Sequence, residues 1–410
     1  MPVETQHNPT VTNVALKYFA PKPKKERSGI GLALSGGGYR AALFHLGALR
    51  RLNELGILAQ LQTLSSVSGG SIVSAHLASS LSWPLNGSVS DWEERVARPF
   101  RDFTSVNIRN APVLKRALLP WNWFNSSVQV ESLAAEYTKR LTRLRLAQLP
   151  ESPEFIYCAT DLAFGVNWTF ERSQMGDYQA GYVRPSSPDW LLAKAVAASS
   201  CFPPIFDPLA VPFNANDFKD GDAKGDLADK LRGQIGLSDG GVYDNLGLEP
   251  IWKDHAIVIC SDGGAVFKFD IETSLFWRVQ RYIAIQGNQG LALRKRWLIS
   301  NFLAGAMDGT YWGVGGVTTN YGSGAPAGYS PEVATMIADI RTDLDTFSEG
   351  EKAALENHGY LLAEAAVQQH LPQLVPEPSP QLKIPHPDWM DENRVKEALR
   401  GSSKRRVFGH

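Results

Sequence analysis

The chain has 410 residues, of which 43% are hydrophobic and 20% are charged, a composition typical of a globular protein with one large α/β domain or two to three smaller ones. The formal net charge of -1 provides no overall positive field and therefore no basis for a nucleic-acid partner. Cys158, Cys201 and Cys260 are widely spaced in apolar contexts, which excludes a disulfide framework and metal-ligand spacing and favours a reducing compartment.

The first 80 residues predict two successive units of strand, turn and helix. The chain has no Asp, Glu, Lys or Arg between Leu55 and Ser90, which indicates a desolvated central sheet. This stretch is too rich in Ser and Gly for a transmembrane helix. The predicted elements are a solvated arm over 1–28, a strand over 29–34, a helix over about 39–54, a strand over about 61–67 and a helix over roughly 71–80.

Each of these strands ends in a turn of small residues. Residues 35–38 (Ser-Gly-Gly-Gly) follow the first strand, and residues 68–70 (Ser-Gly-Gly) follow the second. Neighbouring parallel strands place such turns side by side at the carboxyl edge of a sheet, where open α/β sheets have their sites. The glycine N–H groups at a helix N-terminus suit an oxyanion. Ser68 is placed on a tight strand-to-helix turn. Together the two turns supply a serine and an oxyanion site, which are the minimum that acyl transfer requires.

The rest of the chain predicts a helical insertion over about 83–150, a continuation of the sheet and a C-terminal helical extension. Residues 207–234 carry weak structure signals and are predicted to form a loop. Six prolines within 372–387 predict a linker before a last short helix and a basic tail. The predicted helices cover 91–103 with Ser90 as N-cap, 128–146, 190–198, 274–304 with a break near 287–290, 330–345 and 348–369, and the predicted strands cover 155–160, 166–170 and 256–260.

The insertion contains an apolar stretch over 111–124 in which Trp121 and Trp123 lie near Lys115 and Arg116. Tryptophan with basic residues suits the headgroup boundary of a membrane, so one hypothesis is a membrane-facing lid. The alternative is that these side chains pack into the insertion's own small core. The predicted domains are an arm over 1–28, a catalytic domain over 29–370, and a linker with a basic tail over 371–410.

A serine hydroxyl needs an adjacent base to become a nucleophile. Asp239 is followed by two glycines, so its backbone can approach Ser68 closely, and burial would make its carboxylate a stronger base. Asp262 is followed by the same two glycines and is a competing candidate, although the pattern also fits a turn cap. Asp161, after its strand, is interpreted as a turn residue.

The histidines are poorly placed for this role. His76 lies eight residues after Ser68, about 12 Å along the same helix. His255 precedes its strand and so lies at the other end of the sheet, and His45 lies well inside a helix. His45 and His76 are interpreted as helix-face residues. Only His358 is left as a possible third member of a Ser–Asp–His triad.

Several segments, in this order along the chain, resemble the patatin-like phospholipase family, over roughly residues 29–265. Two departures are small: Ser66 replaces the first glycine of the family's usual G-x-S-x-G, and Ala41 replaces the glycine that closes its glycine-rich motif. The segments that carry the resemblance are 35–40 (Ser-Gly-Gly-Gly-Tyr-Arg), 66–70 (Ser-Val-Ser-Gly-Gly), 197–204 and 239–241 (Asp-Gly-Gly), with 341–345 and 358–360 similar to bacterial members.

The resemblance implies a three-layer α/β/α fold with a mostly parallel sheet. It also implies hydrolysis of lipid acyl esters by a Ser–Asp dyad, with no catalytic histidine, no metal and no cofactor. Arg40 is either a surface residue at the helix N-terminus or a fixed positive charge near the oxyanion or a lipid phosphate. The site residues that the resemblance implies are Ser68 as nucleophile, Asp239 as base, and Gly36, Gly37 and Gly38 as oxyanion donors with Arg40 beside them.

Two other classes of function remain as alternatives. Gly36-x-Gly38-x-x-Ala41 after a strand also fits a dinucleotide fingerprint, but the second strand ends on serine rather than on the acidic residue that binds ribose, and Glu54 lies in the helix before that strand. A patatin-like scaffold that only binds lipid is the other alternative. The expected protein is a cytoplasmic lipid acyl hydrolase that meets its substrate at a membrane surface, peripherally on the inner face.

Overall fold

The computed structural model describes residues 26–110, 112, 127–184, 190–203, 206–267 and 275–402, with only the backbone at 275–277 and 280. Most of the predicted arm over 1–28, nearly all of the 111–124 stretch, and the basic residues 404–406 lie outside the described residues. The lid and core hypotheses for 111–124 therefore stay predictions. The predicted domain boundaries also stay predictions.

One sheet organises the described part of the chain. Five parallel strands form its centre in the order β10-β9-β1-β2-β3, and β4, β5 and β6 continue it in antiparallel fashion. A further strand, β8, lies antiparallel to the end of β3 and pairs with β7. The strands are β1 Ile30–Leu34, β2 Leu61–Val67, β3 Glu154–Asp161, β4 Val166–Phe170, β5 Met175–Asp177, β6 Gly181–Val183, β7 Leu209–Ala210, β8 Gly236–Asp239, β9 Ile257–Asp262 and β10 Asp308–Gly313.

Helices cover both faces of this sheet, because apolar side chains alternate along its central strands. Ile30, Leu32 and Leu34 of β1 belong to the larger core, and Ala33 belongs to a second core on the other face. The helices are α1 Gly38–Glu54, α2 Gly69–Ser80, α3 Arg98–Thr104, α4 Val128–Arg140, α5 Leu192–Ser199, α6 Asp226–Arg232, α7 Gly241–Asp244, α8 Leu275–Leu303, α9 Pro331–Ala338, α10 Glu349–His370 and α11 Glu392–Leu399.

The two cores hold different helices. The larger core contains apolar residues of α1, α2, α5 and α10, and α1 packs along α10 closely enough that a Cβ on Gly47 or Gly359 would overlap the backbone of the other helix. The second core contains Leu298 of α8 and the segment after α7. The predicted three-layer α/β/α fold with a mostly parallel central sheet is therefore confirmed, as are helices in the insertion and in the C-terminal extension.

Several predicted boundaries are wrong. The long helix α8 has no break at Gly287 or Gly290, because the cost of about 1 kcal/mol per helical glycine does not outweigh the favourable residues around them. The helix predicted over 330–345 ends at Ala338, where the guanidinium of Arg40 binds the carbonyl oxygens of Ala338 and Ile340. The predicted helix over 128–146 ends at Arg140, and a π-helix at Glu93–Ala97 precedes α3 in place of a helix capped by Ser90.

The sequence patterns also missed short elements. Helix α6 and strand β7 lie within the predicted loop over 207–234, and β5, β6 and β10 were not predicted. In the described part of the chain, no helix has the length and apolar character needed to cross a membrane.

Candidate active site

Ser68 lies between the end of β2 and the start of α2 in a backbone conformation that is rare outside glycine. Its φ is 50° and its ψ is -113°, a strained geometry of the kind stored at functional turns. The turn needs its small neighbours: a Cβ on Gly70 would overlap the backbone of Leu34 and Ser35. The strand-to-helix turn predicted around Ser68 is therefore present, and the side chain is 6% exposed.

Asp239 reaches Ser68 because two strands meet end to end along β3. Val67 of β2 is the register partner of Cys158, and Asp239 of β8 is the partner of the next residue, Ala159. Since β2 and β8 run in opposite directions, their last residues meet at this point. The structure thus brings Ser68 and Asp239 together, and it does so through an antiparallel strand.

The carboxylate of Asp239 is 2% exposed. Its Oδ1 accepts a hydrogen bond of 2.7 Å from the N–H of Gly241, and its Oδ2 has no well-formed hydrogen bond to any described residue. Burial raises the pKa of Asp239 to about 6, although the Gly241 N–H and the nearby Ser68 hydroxyl both lower it. Asp239 is therefore a stronger base than an exposed aspartate, with one oxygen unoccupied.

The glycine turn after β1 lies against the Ser68 turn. A Cβ on Gly36 would be 3.1 Å from the Cβ of Ser68, and a Cβ on Gly69 would be 2.9 Å from the nitrogen of Gly38. The N–H of Gly36 already donates to the carbonyl of Asn245 at 3.0 Å. The N–H groups of Gly37 and Gly38, at the start of α1, have no acceptor among the residues that the structure describes.

Two of these glycines need backbone conformations that other residues rarely adopt. Gly37 has φ 141° and Gly38 has φ 58°. A Cβ on Gly38 would also be 2.7 Å from the carbonyl oxygen of Asp343, so both the turn and its packing require glycine.

Arg40 is a buried residue with a fixed guanidinium. It is only 3% exposed, so the prediction of a surface residue is wrong. Its Nε and Nη2 donate to the carbonyl of Gly263 at 3.2 and 3.0 Å, and its Nη1 donates to Ala338 and Ile340 at 2.8 and 2.9 Å. Burial lowers the pKa of Arg40 to about 10. The guanidinium is bound to backbone carbonyls, and its proposed place near an oxyanion stays a prediction.

Ser199, at the end of α5, connects the two halves of the site and was not singled out by the sequence. Its Oγ accepts a hydrogen bond of 2.9 Å from the N–H of Ser68 and donates one of 2.6 Å to the carbonyl of Cys158. The same oxygen lies 2.9 Å from the hydroxyl of Ser71, and its backbone carbonyl accepts from the N–H of Gly240. The only available signal was its position in the segment 197–204, which carries part of the family resemblance.

Asn245 is a second residue that the sequence did not indicate. Its Oδ1 lies 2.6 Å from where a Cβ on Gly241 would be, and its Nδ2 lies 2.8 Å from where a Cβ on Gly264 would be. The side chain is half-buried and faces the glycine turn, since a Cβ on Gly36 would overlap it. Asn245 therefore lies where the glycine turn and the Asp239 turn come closest.

Asp262, the competing aspartate, is held by other groups. It lies at the end of β9, where Lys295 of α8 forms an ion pair at 2.5 Å and the Tyr311 hydroxyl donates a hydrogen bond at 2.7 Å. Burial would raise its pKa, but Lys295, Tyr311 and the N–H of Gly264 lower it below the ordinary value. The interpretation of Asp262 as a turn cap agrees with the 2.9 Å bond from Gly264 to its Oδ1.

Asp161 and Asp177 form a separate pair of buried carboxyl groups. Asp161 accepts hydrogen bonds from the N–H groups of Ala163 and Phe164, as a turn residue should. Burial raises the pKa of Asp177 to about 7, with the neighbouring Asp161 adding to the effect, and it raises the pKa of Asp161 as well. The second carboxyl oxygens of both residues have no other partner in the described structure, so one shared proton would join them.

Each of the four histidines considered from sequence has a partner away from Ser68 and Asp239. His45 is a fully buried residue rather than a helix-face residue, and burial lowers its pKa to about 4. Burial also lowers the pKa of His358 to about 4. Their partners are Ser261 Oγ and the Ser35 carbonyl for His45, the Val96 carbonyl for His76, the Ile251 carbonyl and Thr63 Oγ1 for His255, and the Val314 carbonyl for His358.

With the fold and the site established, comparison with known proteins assigns the family. A family model for patatin-like phospholipases matches residues 32–252, more than half of the chain, so the chain belongs to the patatin-like phospholipase family. The resemblance found in the sequence is thereby confirmed. Membership gives no support to the dinucleotide alternative. No curated protein sequence matches the chain.

Several solved structures match over most of the chain at low identity. Human GIVD cytosolic phospholipase A2 matches with 12% identity and a TM-score of 0.45, over 97% of this chain and 65% of the human one. The same enzyme with methyl γ-linolenyl fluorophosphonate and terbium chloride has 13% identity and a TM-score of 0.47, over 97% and 63%. VipD from Legionella pneumophila has 15% identity and a TM-score of 0.34, over 85% and 68%. This chain thus spans less than two thirds of the human enzyme's length.

Proposed function

We propose that the protein hydrolyses acyl esters of lipids with Ser68 as the nucleophile and Asp239 as its base. The observation that carries this proposal is the end-to-end meeting of β2 and β8, which puts a strained serine beside a buried carboxylate with an unoccupied oxygen. The raised pKa of Asp239 supports the role of a base that accepts a proton from a hydroxyl.

In the proposed first step, Ser68 Oγ attacks the carbonyl carbon of the ester while its proton passes to Asp239. The tetrahedral intermediate then collapses, the C–O bond to the alcohol breaks, and Asp239 returns the proton to the departing alkoxide. Water attacks the acyl-enzyme in the second step, again with Asp239 taking and returning one proton. The fatty acid leaves and Ser68 is restored.

We propose that the N–H groups of Gly37 and Gly38 hold the negatively charged oxygen of the intermediate. Both are at the N-terminus of α1, where the helix dipole favours negative charge, and neither has an acceptor among the described residues. Gly36 contributes by having no side chain, since its N–H is bound to Asn245. Arg40 contributes by fixing the neighbouring loop through the carbonyl of Gly263.

The test is mass spectrometry of the products released from mixed vesicles of phospholipid and neutral lipid. The wild type should release fatty acid, and Ser68→Ala should lower the rate by at least about a thousandfold. The lipid class that is consumed first identifies the preferred substrate. Ser74→Ala is the matched control, because Ser74 is a buried serine further along α2; it should keep activity within about tenfold.

Two outcomes would contradict the proposal. Fatty acid release by Ser68→Ala at the wild-type rate would remove Ser68 as the nucleophile. Binding of lipid without any release by the wild type would favour the lipid-binding scaffold instead. A Ser–Asp–His triad would require His358 to move from its 2.9 Å contact with the Val314 carbonyl, and His358→Gln should therefore leave the rate within about tenfold of wild type.

A further inference from the structure

Helix α8 has one half that packs against the domain and one half that projects from it. Leu298 lies in the second core, and Trp297 packs edge to face on Trp252 with ring centroids 4.6 Å apart. Residues 282–287, by contrast, are all exposed. The exposed half contains large apolar side chains, of which Tyr282 is 62% and Ile283 is 58% exposed. Contiguous exposed apolar side chains mark sites of interaction with a protein or a membrane.

Four of the exposed apolar residues of α8 lie along one side of the helix, whereas Ile285, Ile299 and Leu303 lie outside that side. Val279, Tyr282, Ile283 and Leu293 fall within an arc of about 100°, since successive residues are about 100° apart. We name these four residues the α8 patch. The arc also contains Gln286, so the α8 patch is interrupted by a polar residue, and its apolar side chains suit the boundary of a lipid surface.

The charge of α8 identifies the chemistry of that surface. Residues 275–303 contain five basic residues and no Asp or Glu. Arg294 and Lys295 are neutralised by Asp244, Glu249 and Asp262 of the packed side. The exposed Arg278 and Arg296 both lie along one border of the α8 patch and form no ion pair with a described residue. The α8 patch, with unneutralised arginines beside it, complements an anionic lipid surface.

The projecting half of α8 extends beyond the carboxyl edge of the sheet, which is the edge at which Ser68 lies. Lys295 pairs with Asp262 at the carboxyl end of β9. The ring of Phe302 lies against Gly309, near the start of β10, because a Cβ on that glycine would be 2.5 Å from the ring. The helix therefore runs antiparallel to β9 and β10. Tyr282, 13 residues before Lys295, extends about 20 Å beyond the carboxyl edge of the sheet at 1.5 Å per residue.

We infer that the α8 patch docks the protein on bilayers that contain anionic phospholipids. This inference rests on the proposed function for its purpose, since an acyl hydrolase of lipids must meet a bilayer. A second copy of the chain is a poorer occupant. Two copies paired through this face would bring identical arginines together on helices that carry no acidic residue.

Vesicle flotation with Ser68→Ala protein tests the inference without consuming the lipid. Vesicles of phosphatidylcholine with phosphatidylglycerol should bind the protein, more strongly at low salt than at high salt, and phosphatidylcholine alone should bind it more weakly. Adding Tyr282→Ser and Ile283→Ser should weaken the binding by at least about tenfold. The matched control is Leu227→Ser, which removes a side chain that is 70% exposed on α6, and it should change nothing.

A charge variant tests vesicle binding by the α8 patch independently, in case the apolar variant is destabilised. Arg278→Gln with Arg296→Gln should weaken binding to the phosphatidylglycerol vesicles by about fivefold per charge, with little effect on phosphatidylcholine. In a background that retains Ser68, both variants should hydrolyse a short soluble ester at the wild-type rate, because neither touches the Ser68–Asp239 region.

Four results would overturn the inference. They are unchanged vesicle binding by both variants, equal binding of the wild type to both lipid compositions, no vesicle binding at all, and a dimer in light scattering that Tyr282→Ser with Ile283→Ser dissociates. The last would assign the α8 patch to a second copy. Failure of the proposed function looks different: Ser68→Ala would hydrolyse the soluble ester while its vesicle binding still depended on the α8 patch.

Discussion

Two Asp-Gly-Gly turns lie at the carboxyl edge of the central parallel strands, and their surroundings give the two carboxylates opposite properties. Asp239 and Asp262 are both buried, and each accepts a hydrogen bond from the N–H of the second glycine after it. Asp262 is also paired with Lys295 and Tyr311, and its pKa is lowered. No residue in the described part of the chain pairs a cation with Asp239, and burial raises its pKa to about 6.

The difference shows that the neighbours of a motif decide its chemistry. A carboxylate that a lysine already stabilises has little tendency to accept a proton, whereas one kept in an apolar setting accepts it readily. Position reinforces this. Asp239 ends an antiparallel strand that meets the Ser68 strand end to end, and Asp262 lies two strands away from β2, beyond β1. The same three residues thus hold the proposed base in one place and a structural turn in the other.

Substituting each aspartate in turn tests the difference between the two turns most directly. Asp239→Asn should lower kcat for a soluble ester by about a thousandfold, because the serine loses its base. Asp262→Asn should keep kcat within about tenfold but lower the melting temperature, because Lys295 loses its buried partner. Equal loss of kcat in the two variants, with both folded, would remove the distinction between the turns.

Ser199 should have the next largest effect. Ser199→Ala removes the acceptor for the N–H of Ser68 while touching neither the substrate nor the proton, so we expect kcat to fall by about 10- to 100-fold with KM nearly unchanged. Ser200→Ala is the matched control: this adjacent buried serine bonds to Val196 and Tyr137, away from the Ser68 turn. Similar losses of kcat in both variants would show that the loss comes from general packing and not from the contact with Ser68.

The pH dependence of catalysis should report the raised pKa of Asp239. The base must be ionised, so kcat/KM should be constant above the pKa of about 6 and fall about tenfold per pH unit below it. Asp262→Asn should not move this midpoint. A profile that stays flat down to the ordinary aspartate value of 3.8 would mean that another group acts as the base.

The shared proton of Asp161 and Asp177 should affect stability rather than catalysis. Folding raises the pKa of Asp177 to about 7, so the unfolded chain loses its proton first as pH rises from the ordinary value of 3.8. The free energy of unfolding that the pair contributes is therefore complete below 3.8 and declines up to about pH 7. Asp177→Asn should remove this decline and raise the melting temperature at pH 8 relative to wild type, by roughly 2 to 4 °C. Thermal unfolding at pH 5 and pH 8 checks it, and a parallel decline in the two proteins would exclude a shared proton.

The local patterns of the sequence were sufficient for four of the five central strands, all but β10, and for the Ser68 and glycine turns, because apolar runs and small residues are local signals. They did not predict that β8 is antiparallel, that Ser199 bonds to both halves of the site, or that Lys295 neutralises Asp262. These contacts join residues that are far apart in the chain. Arg40 illustrates the same limit, since a helix N-terminal arginine gave no sign that α9 would supply carbonyls for it.

The central claim is that Ser68 is the nucleophile and that Asp239 activates it. Intact-protein and peptide mass spectrometry after treatment with a fluorophosphonate probe tests this most directly. We expect one adduct, on Ser68, which is absent in Ser68→Ala, forms much more slowly in Asp239→Asn and forms at the wild-type rate in Asp262→Asn. An adduct on another residue, or a rate in Asp239→Asn equal to that of the wild type, would contradict it.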